Sequence, residues 1–193
     1  MSPNVTPWTV VRRHALAARR EMPSSSHTTL GAQDYEMTAT IRNAVVGDEE
    51  LLAKLNAFGQ DVHLEKRPSD FKSTSVSELT AWYKSLLQTS AARAWIALED
   101  GLPIGYVLAR VNRRPANPFC PEKQWWEIDQ IAVDPRFRRR GVGRALILAA
   151  VGEAKALGIQ NIESQSWAFN RETHELLGNI GFVPKILRFE LKT

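Results

Sequence analysis

The stretch Ile131–Leu148, IAVDPRFRRRGVGRALIL, decides the fold. It opens as an apolar run that ends at Val133, as a strand would. Pro135 then stops any ladder, because proline has no N–H to donate. Arg138, Arg139 and Arg140 lead into Gly141, Val142 and Gly143, and Arg144 opens an amphipathic run that reads as a helix. Strand, glycine-rich turn and helix together present several unpaired backbone N–H groups to one anion. The helix macrodipole adds about half a positive charge at that point. Gly141 and Gly143 predict positive φ and room for a ligand against bare backbone. The ligand implied is a phosphate or pyrophosphate. A solvated basic loop is the competing reading, and the strand before and helix after weigh against it. No Gly-Lys-Ser/Thr follows, so this is not a Walker loop. Two glycines after Asp134-Pro135 do not make a dinucleotide fingerprint either.

Outward from this unit the pattern is regular. Thr40–Val46 reads as a strand, and Asp48 caps a helix over Glu49–Phe58. Gln60–Ser75 reads as a polar loop, and Ser77 caps a helix from Glu78 to Gln88. Arg93–Leu98 and Ile104–Asn112 are strands joined by the turn signal Glu99-Asp100-Gly101. A proline-rich loop, 113–123, precedes the strand Trp125–Val133. Arg144–Leu157 is a helix with Gly158 beyond it, Ile159–Trp167 a strand, and Arg171–Ile180 a helix stopped at Gly181. Phe182–Leu191 closes as one or two strands. The predicted class is α/β, with a mixed, mostly antiparallel central sheet and helices on both faces in the order βααβββαβαβ.

The spacing Arg138-x-x-Gly141-x-Gly143 between strand and helix resembles the pyrophosphate loop of the GCN5-related N-acetyltransferase (GNAT) family. Asn170 before the last helix and Gly181-Phe182 after it are two further family marks. The resemblance covers about four-fifths of the chain, from Thr40 onward. It implies the acyl-CoA N-acyltransferase fold and acetyl-CoA as cosubstrate, with no metal. It places Ile131, Ala132 and Val133 along the pantetheine arm, on a strand splayed from its neighbour. It assigns Arg138, Arg139, Arg140, Gly141, Val142, Gly143 and Arg144 to the pyrophosphate, and adds Asn170 to the cofactor-binding set.

Acetyl transfer to an amine needs a polarised thioester, a neutral amine and a stabilised leaving thiolate. Strand alternation puts Glu127, Asp129, Ile131 and Val133 on one face. A carboxylate partly desolvated there would gain a raised pKa, which suits a base. Glu127 holds the position where the family often has its glutamate base, and Asp129 is the alternative. Many members protonate the thiolate with a tyrosine seven residues after the asparagine. Here that residue is Leu177, so water, Ser166 or His174 must substitute. The acceptor is expected between the first two helices, the loop 60–75 with His63, Glu65, Lys66, Asp70 and Phe71, and the loop 113–123. Trp125 and Trp126 point to opposite faces, one into the core.

The chain has 193 residues, a net charge of +4 and one cysteine, Cys120, so no intrachain disulfide forms. No cysteine lies in the strand, turn and helix assigned to acetyl-CoA, which argues against an acyl-enzyme. Residues 1–37 are basic, Ser-rich and acid-poor, as in a transit peptide or a disordered arm ahead of a start at Met37. The acetyltransferase domain is expected over 38–193. No apolar run spans a membrane, and the expected location is cytoplasmic. The expected activity is direct transfer from acetyl-CoA to a primary amine of unspecified identity, by an enzyme that acts alone or as a homodimer. An acyl-CoA-binding sensor or interaction module with little turnover is the alternative, favoured by Leu177. An enzyme for aminoacyl-tRNA or a protein N-terminus ranks below, since a charge of +4 is a weak nucleic-acid signal.

Overall fold

A computed structural model describes residues 39–192. The extension 1–37 lies outside them. A five-stranded sheet runs in the order β1 (Thr40–Asn43), β2 (Ala92–Glu99), β3 (Leu102–Arg114), β4 (Lys123–Val133), β5 (Ile162–Ser164). All neighbours are antiparallel except β4 and β5, which are parallel. Helices α1 (Glu49–Lys66) and α2 (Val76–Leu87) cover one face. Helices α3 (Val142–Ala156) and α4 (Arg171–Ile180) cover the other. The α1/α2 face buries Leu52, Leu55, Tyr83, Ile96, Tyr106 and Leu108. The α3/α4 face buries Trp95, Val107, Trp126, Ile128, Leu146 and Ile147. The fold class is the expected one.

Asp100 (φ 50°) and Gly101 (φ 79°) form the β2–β3 hairpin with two left-handed residues, as the Asp-Gly pair predicts. Several boundaries differ from expectation: β1 stops at Asn43 instead of Val46, β5 covers only Ile162–Ser164 of the expected Ile159–Trp167, and α3 starts at Val142 instead of Arg144. Helix α1 runs on to Lys66, because the polar run Gln60–Lys66 contains no breaker. It stops where Pro68 denies Arg67 the helical region. Ser75, not Ser77, caps α2: its hydroxyl accepts from the Glu78 N–H while the Glu78 carboxylate reaches back to the Ser75 N–H. The expected closing strand over Phe182–Leu191 is not formed: among the described residues, 183–192 make no backbone hydrogen bond. The order therefore ends at α4. Asp48 does occupy the N-cap of α1, but its carboxylate holds Arg42 (2.6 and 2.8 Å) and the Val45 N–H instead of capping.

Candidate active site

Strand β4 organises the site through one irregularity. Ile128 pairs with Ala109 and Gln130 with Leu108, so Asp129 is an extra residue without a partner on β3. This is a β-bulge, and it inverts the alternation beyond it. Trp126 and Ile128 face α3; after the bulge it is Ile131 and Val133 that pack on that side, while Ala132 joins the α1/α2 core. The expectation that Glu127, Asp129, Ile131 and Val133 share a face is therefore corrected. Glu127 accepts a hydrogen bond from Asn112 Nδ2, and Asp129 accepts from Arg110 at 2.8 Å. Both acids lie on the α1/α2 side, opposite Ile131 and Val133. Of the two tryptophans, Trp126 is the buried one.

The bulge also marks where the sheet opens. Strand β5 pairs with β4 only at Trp126, Glu127 and Ile128. The Asp134 N–H donates to Ile104 O on β3 at 2.8 Å. Alternation then turns the backbone of Ala132 toward β3 as well, and the backbones of Ile131 and Val133 toward the opening. The Ser164 hydroxyl bonds Ile128 O at 3.0 Å, at the last paired position. Two residues on, where β5 has left β4, the Ser166 hydroxyl is buried with no partner. His174 is exposed on α4, and Leu177 packs against the core. Asn170 caps α4, its Oδ1 accepting from Thr173 N–H at 3.3 Å.

The turn after β4 is built by Asp134, only 3% exposed. Its carboxylate accepts from Arg136 through the backbone N–H (2.9 Å) and the guanidinium (2.6 Å), and that pairing holds it below the usual carboxylate range. The arginines divide their roles. Arg138 braces the loop, donating to Val133 O (3.2 Å) and to Phe58 O in α1 (3.3 Å). Arg139 is left-handed at φ 63° and lies 3.7 Å from Glu175. Arg140 stacks on Phe137 and lies 3.6 Å from Glu99. Arg144 is exposed and has no ion pair among the described residues. Gly141 is left-handed, φ 82°, and starts α3 with no side-chain cap. The N–H groups of Val142, Gly143 and Arg144 are thus uncapped at the helix start. Gly143, expected at positive φ, is helical instead. Its need is steric, since a Cβ there would sit 3.1 Å from Leu176 on α4.

Three features were missed in the sequence. Gly105 on β3 lies so close to β4 that a Cβ would fall 2.7 Å from Ala132 O; a lone glycine inside a strand pattern was the signal. Tyr83, Tyr106, Gln130 and Asn56 form a buried polar network under the acids. Both phenols donate toward Gln130 Oε1 (2.7 and 2.8 Å) and Asn56 donates to Tyr106 (2.8 Å). Burial pushes the Tyr106 phenol up to about 12 and raises Tyr83 as well. The third is an aromatic cluster of His63, Phe71, Trp167 and Phe169 joining the end of α1 to the loop before α4. Burial lowers the His63 pKa there. Arg67 lies over Trp167 and pairs with Asp70 at 2.8 Å. Glu65 pairs with Lys66. These partners hold Glu65 and Asp70, two acids of the segment where the acceptor was expected.

Comparison with known proteins gives a consistent picture. Residues 60–182 match the model of the acetyltransferase (GNAT) family. An uncharacterized N-acetyltransferase of Methanocaldococcus jannaschii is 31% identical over 105 residues, 54% of this chain and 45% of that protein. The chain thus spans under half of that relative's length. Among solved structures, a tetramutant of the BH1408 protein from Bacillus halodurans superposes with a TM-score of 0.74 at 21% identity, over 80% of this chain and 99% of that one. The aminoglycoside N-acetyltransferase AAC(6')-Iy, solved with CoA, gives 0.64 at 22% identity, over 80% and 94%. At these identities the structural likeness shows the fold.

Proposed function

The chain belongs to the GNAT acetyltransferase family, and on that premise we propose that it moves the acetyl group of acetyl-CoA directly to a primary amine within a ternary complex. The observation that carries this reading is the opening of β4 from β5 after Ile128, in line with the uncapped start of α3. The residues present fit the cosubstrate. Ile131 N–H and C=O and Val133 N–H are the unpaired backbone groups for the pantetheine amides. The carbonyl of Val133 is already taken by Arg138. The N–H groups of Val142, Gly143 and Arg144, with the Arg144 guanidinium and the nearby Arg139, suit the pyrophosphate. Arg138 we assign to shaping this loop, and Asn170 to capping α4.

Acetyl-CoA supplies an activated acyl carbonyl when bound. Glu127 receives the proton of the entering ammonium, directly or through water. Protonating Asp129 would cancel its pairing with Arg110, whereas protonating Glu127 breaks no ion pair. Ser166, with an unpaired buried hydroxyl, donates a hydrogen bond to the departing sulfur in place of the absent phenol. Much of the rate then comes from holding amine and thioester together.

Calorimetry with acetyl-CoA and with CoA is expected to show micromolar binding, and absence of binding by both overturns the reading. A panel of amines, aminoglycosides included since AAC(6')-Iy is named for them, followed by CoA release, identifies the acceptor. CoA binding without release on any amine would favour the second reading, a sensor, to which Leu177 in the α4 position lends weight.

A further inference from the structure

On the α1/α2 side of the sheet, the core reaches Leu108 on β3 and Ala132 on β4. Beyond them, toward the β3–β4 hairpin, the same face carries polar and aromatic side chains. Register places Arg110 beside Glu127, Asn112 beside Trp125 and Arg114 beside Lys123, with Glu163 of β5 next to Glu127. No bulge interrupts β4 between Lys123 and Glu127, so the side chains at 123, 125 and 127 share this face. The charges along it are sorted. Arg110 cancels Asp129, which leaves Glu127, bonded to the neutral Asn112, as the net negative charge of that end. At the other end two ammoniums, Lys123 and Lys185, share the single carboxylate of Glu163. Arg114 adds a third cation there and donates only to the neutral Pro121 O, at 3.3 Å. The Lys123 ammonium lies over the Trp125 ring, 5.5 Å from its centroid. Cations thus stand two to four strand residues from Glu127, or ~7–14 Å along the face.

We propose, resting on the reading of Glu127 as base, that the acceptor is bipolar: its primary amine lies at Glu127, and an anionic group ~7–14 Å away, carboxylate or phosphate, is held by Arg114 and Lys123. The middle of the molecule lies along Trp125. The cationic end carries a cost that such a ligand removes. Arg114 and Lys123 stand directly opposite each other on paired strands, where like charges repel. Glu163 raises the Lys185 pKa, and Arg114 lies close enough to oppose that rise. Glu163 already serves two ammoniums, so an incoming anion is the partner this end lacks. An ammonium arriving there would add a fourth cation. The same cluster therefore orients the acceptor, since only its amine end is welcome beside Glu127.

A ruler of ω-amino carboxylates tests this, with chains from shorter than that span to the whole of it, each beside its ω-amino carboxamide. Binding to the CoA-loaded protein is read by calorimetry, and turnover by CoA release from acetyl-CoA. Within the span, the acid is expected to exceed the amide about fivefold in affinity and in kcat/KM, the size of a partly exposed ion pair. The preference is expected to shrink as salt rises. A parallel series of ω-aminoalkyl phosphates tells which anion the cluster takes. Arg114→Gln is expected to bring the ratio to about one with CoA affinity kept. Arg113→Gln, on the opposite face of the same strand, is expected to leave the ratio as it is. Equal binding and turnover of acids and amides at every length overturns the proposal while leaving acetyl transfer in place. A preference as large for the shortest chains, or one that survives Arg114→Gln, overturns it too. Acid-selective binding without CoA release on any amine supports this site and removes the reading of the chain as a working transferase.

Discussion

Glu127 and Asp129 differ in what holds them, and this separates their roles. Glu127 faces the neutral carboxamide of Asn112, while Asp129 is half of an ion pair. Glu127→Gln keeps the shape and removes the basicity. Turnover is expected to fall by ~10²–10⁴, with CoA affinity unchanged and the deficit smaller at high pH, where more amine arrives neutral. Steady-state rates from about pH 6 to pH 10 check this. An unaffected Glu127→Gln beside an inactive Asp129→Asn would transfer the role. The residue types were legible in the sequence; their facing was not, although the spacing of Trp126, Ile128, Ile131 and Val133 breaks step at Asp129-Gln130. A three-residue interval in a two-residue rhythm is what a bulge leaves in the chain.

At the scale of elements, the opening between β4 and β5 depends on how closely β3 grips β4. Gly105 sets that approach, with the Ala132 carbonyl lying where a Cβ would be. Gly105→Ala forces backbone apart, and backbone yields less than a side-chain tip. The expected cost is about 1–3 kcal/mol of stability, together with weaker CoA binding because Ile131 and Val133 move with Ala132. Denaturant melts and calorimetry read both. At α3 the constraint is conformational. Gly141→Val at φ 82° is expected to cost about 1–3 kcal/mol of strain and to weaken CoA binding by ~2 kcal/mol or more. A variant that folds and binds normally would remove this turn from the site.

Across the whole molecule, two carboxylates tie loops to the sheet. Arg42 holds Asp48 below the ordinary carboxylate range, and Arg136 does the same to Asp134. A pKa lowered by folding stabilises the fold above the unfolded value of about 4. That contribution is lost as pH falls through the lower folded value. Thermal melts are therefore expected to hold from neutrality down to about pH 5 and to drop below pH 4. Asp134→Asn should lower stability at neutral pH and flatten the acid limb. A limb as steep in the variant as in the parent would place the effect elsewhere.

What the sequence determined by itself was local. The strand stop at Pro135, the turn at Asp100-Gly101 and the positive φ at Gly141 each rest on one residue's backbone, so residue type suffices to read them. The family marks sit in these same short windows. The tertiary structure decided everything that depends on two segments meeting. Arg138 reads in the sequence as one of a run of arginines, and only the fold shows that its guanidinium reaches Phe58 O on α1. Gly143 reads as a turn glycine until Leu176 closes on it. The segment Phe182–Leu191 has the alternation of a strand, but alternation specifies only which side is apolar. A ladder needs a second backbone at the right distance, and among the described residues none is bonded to it.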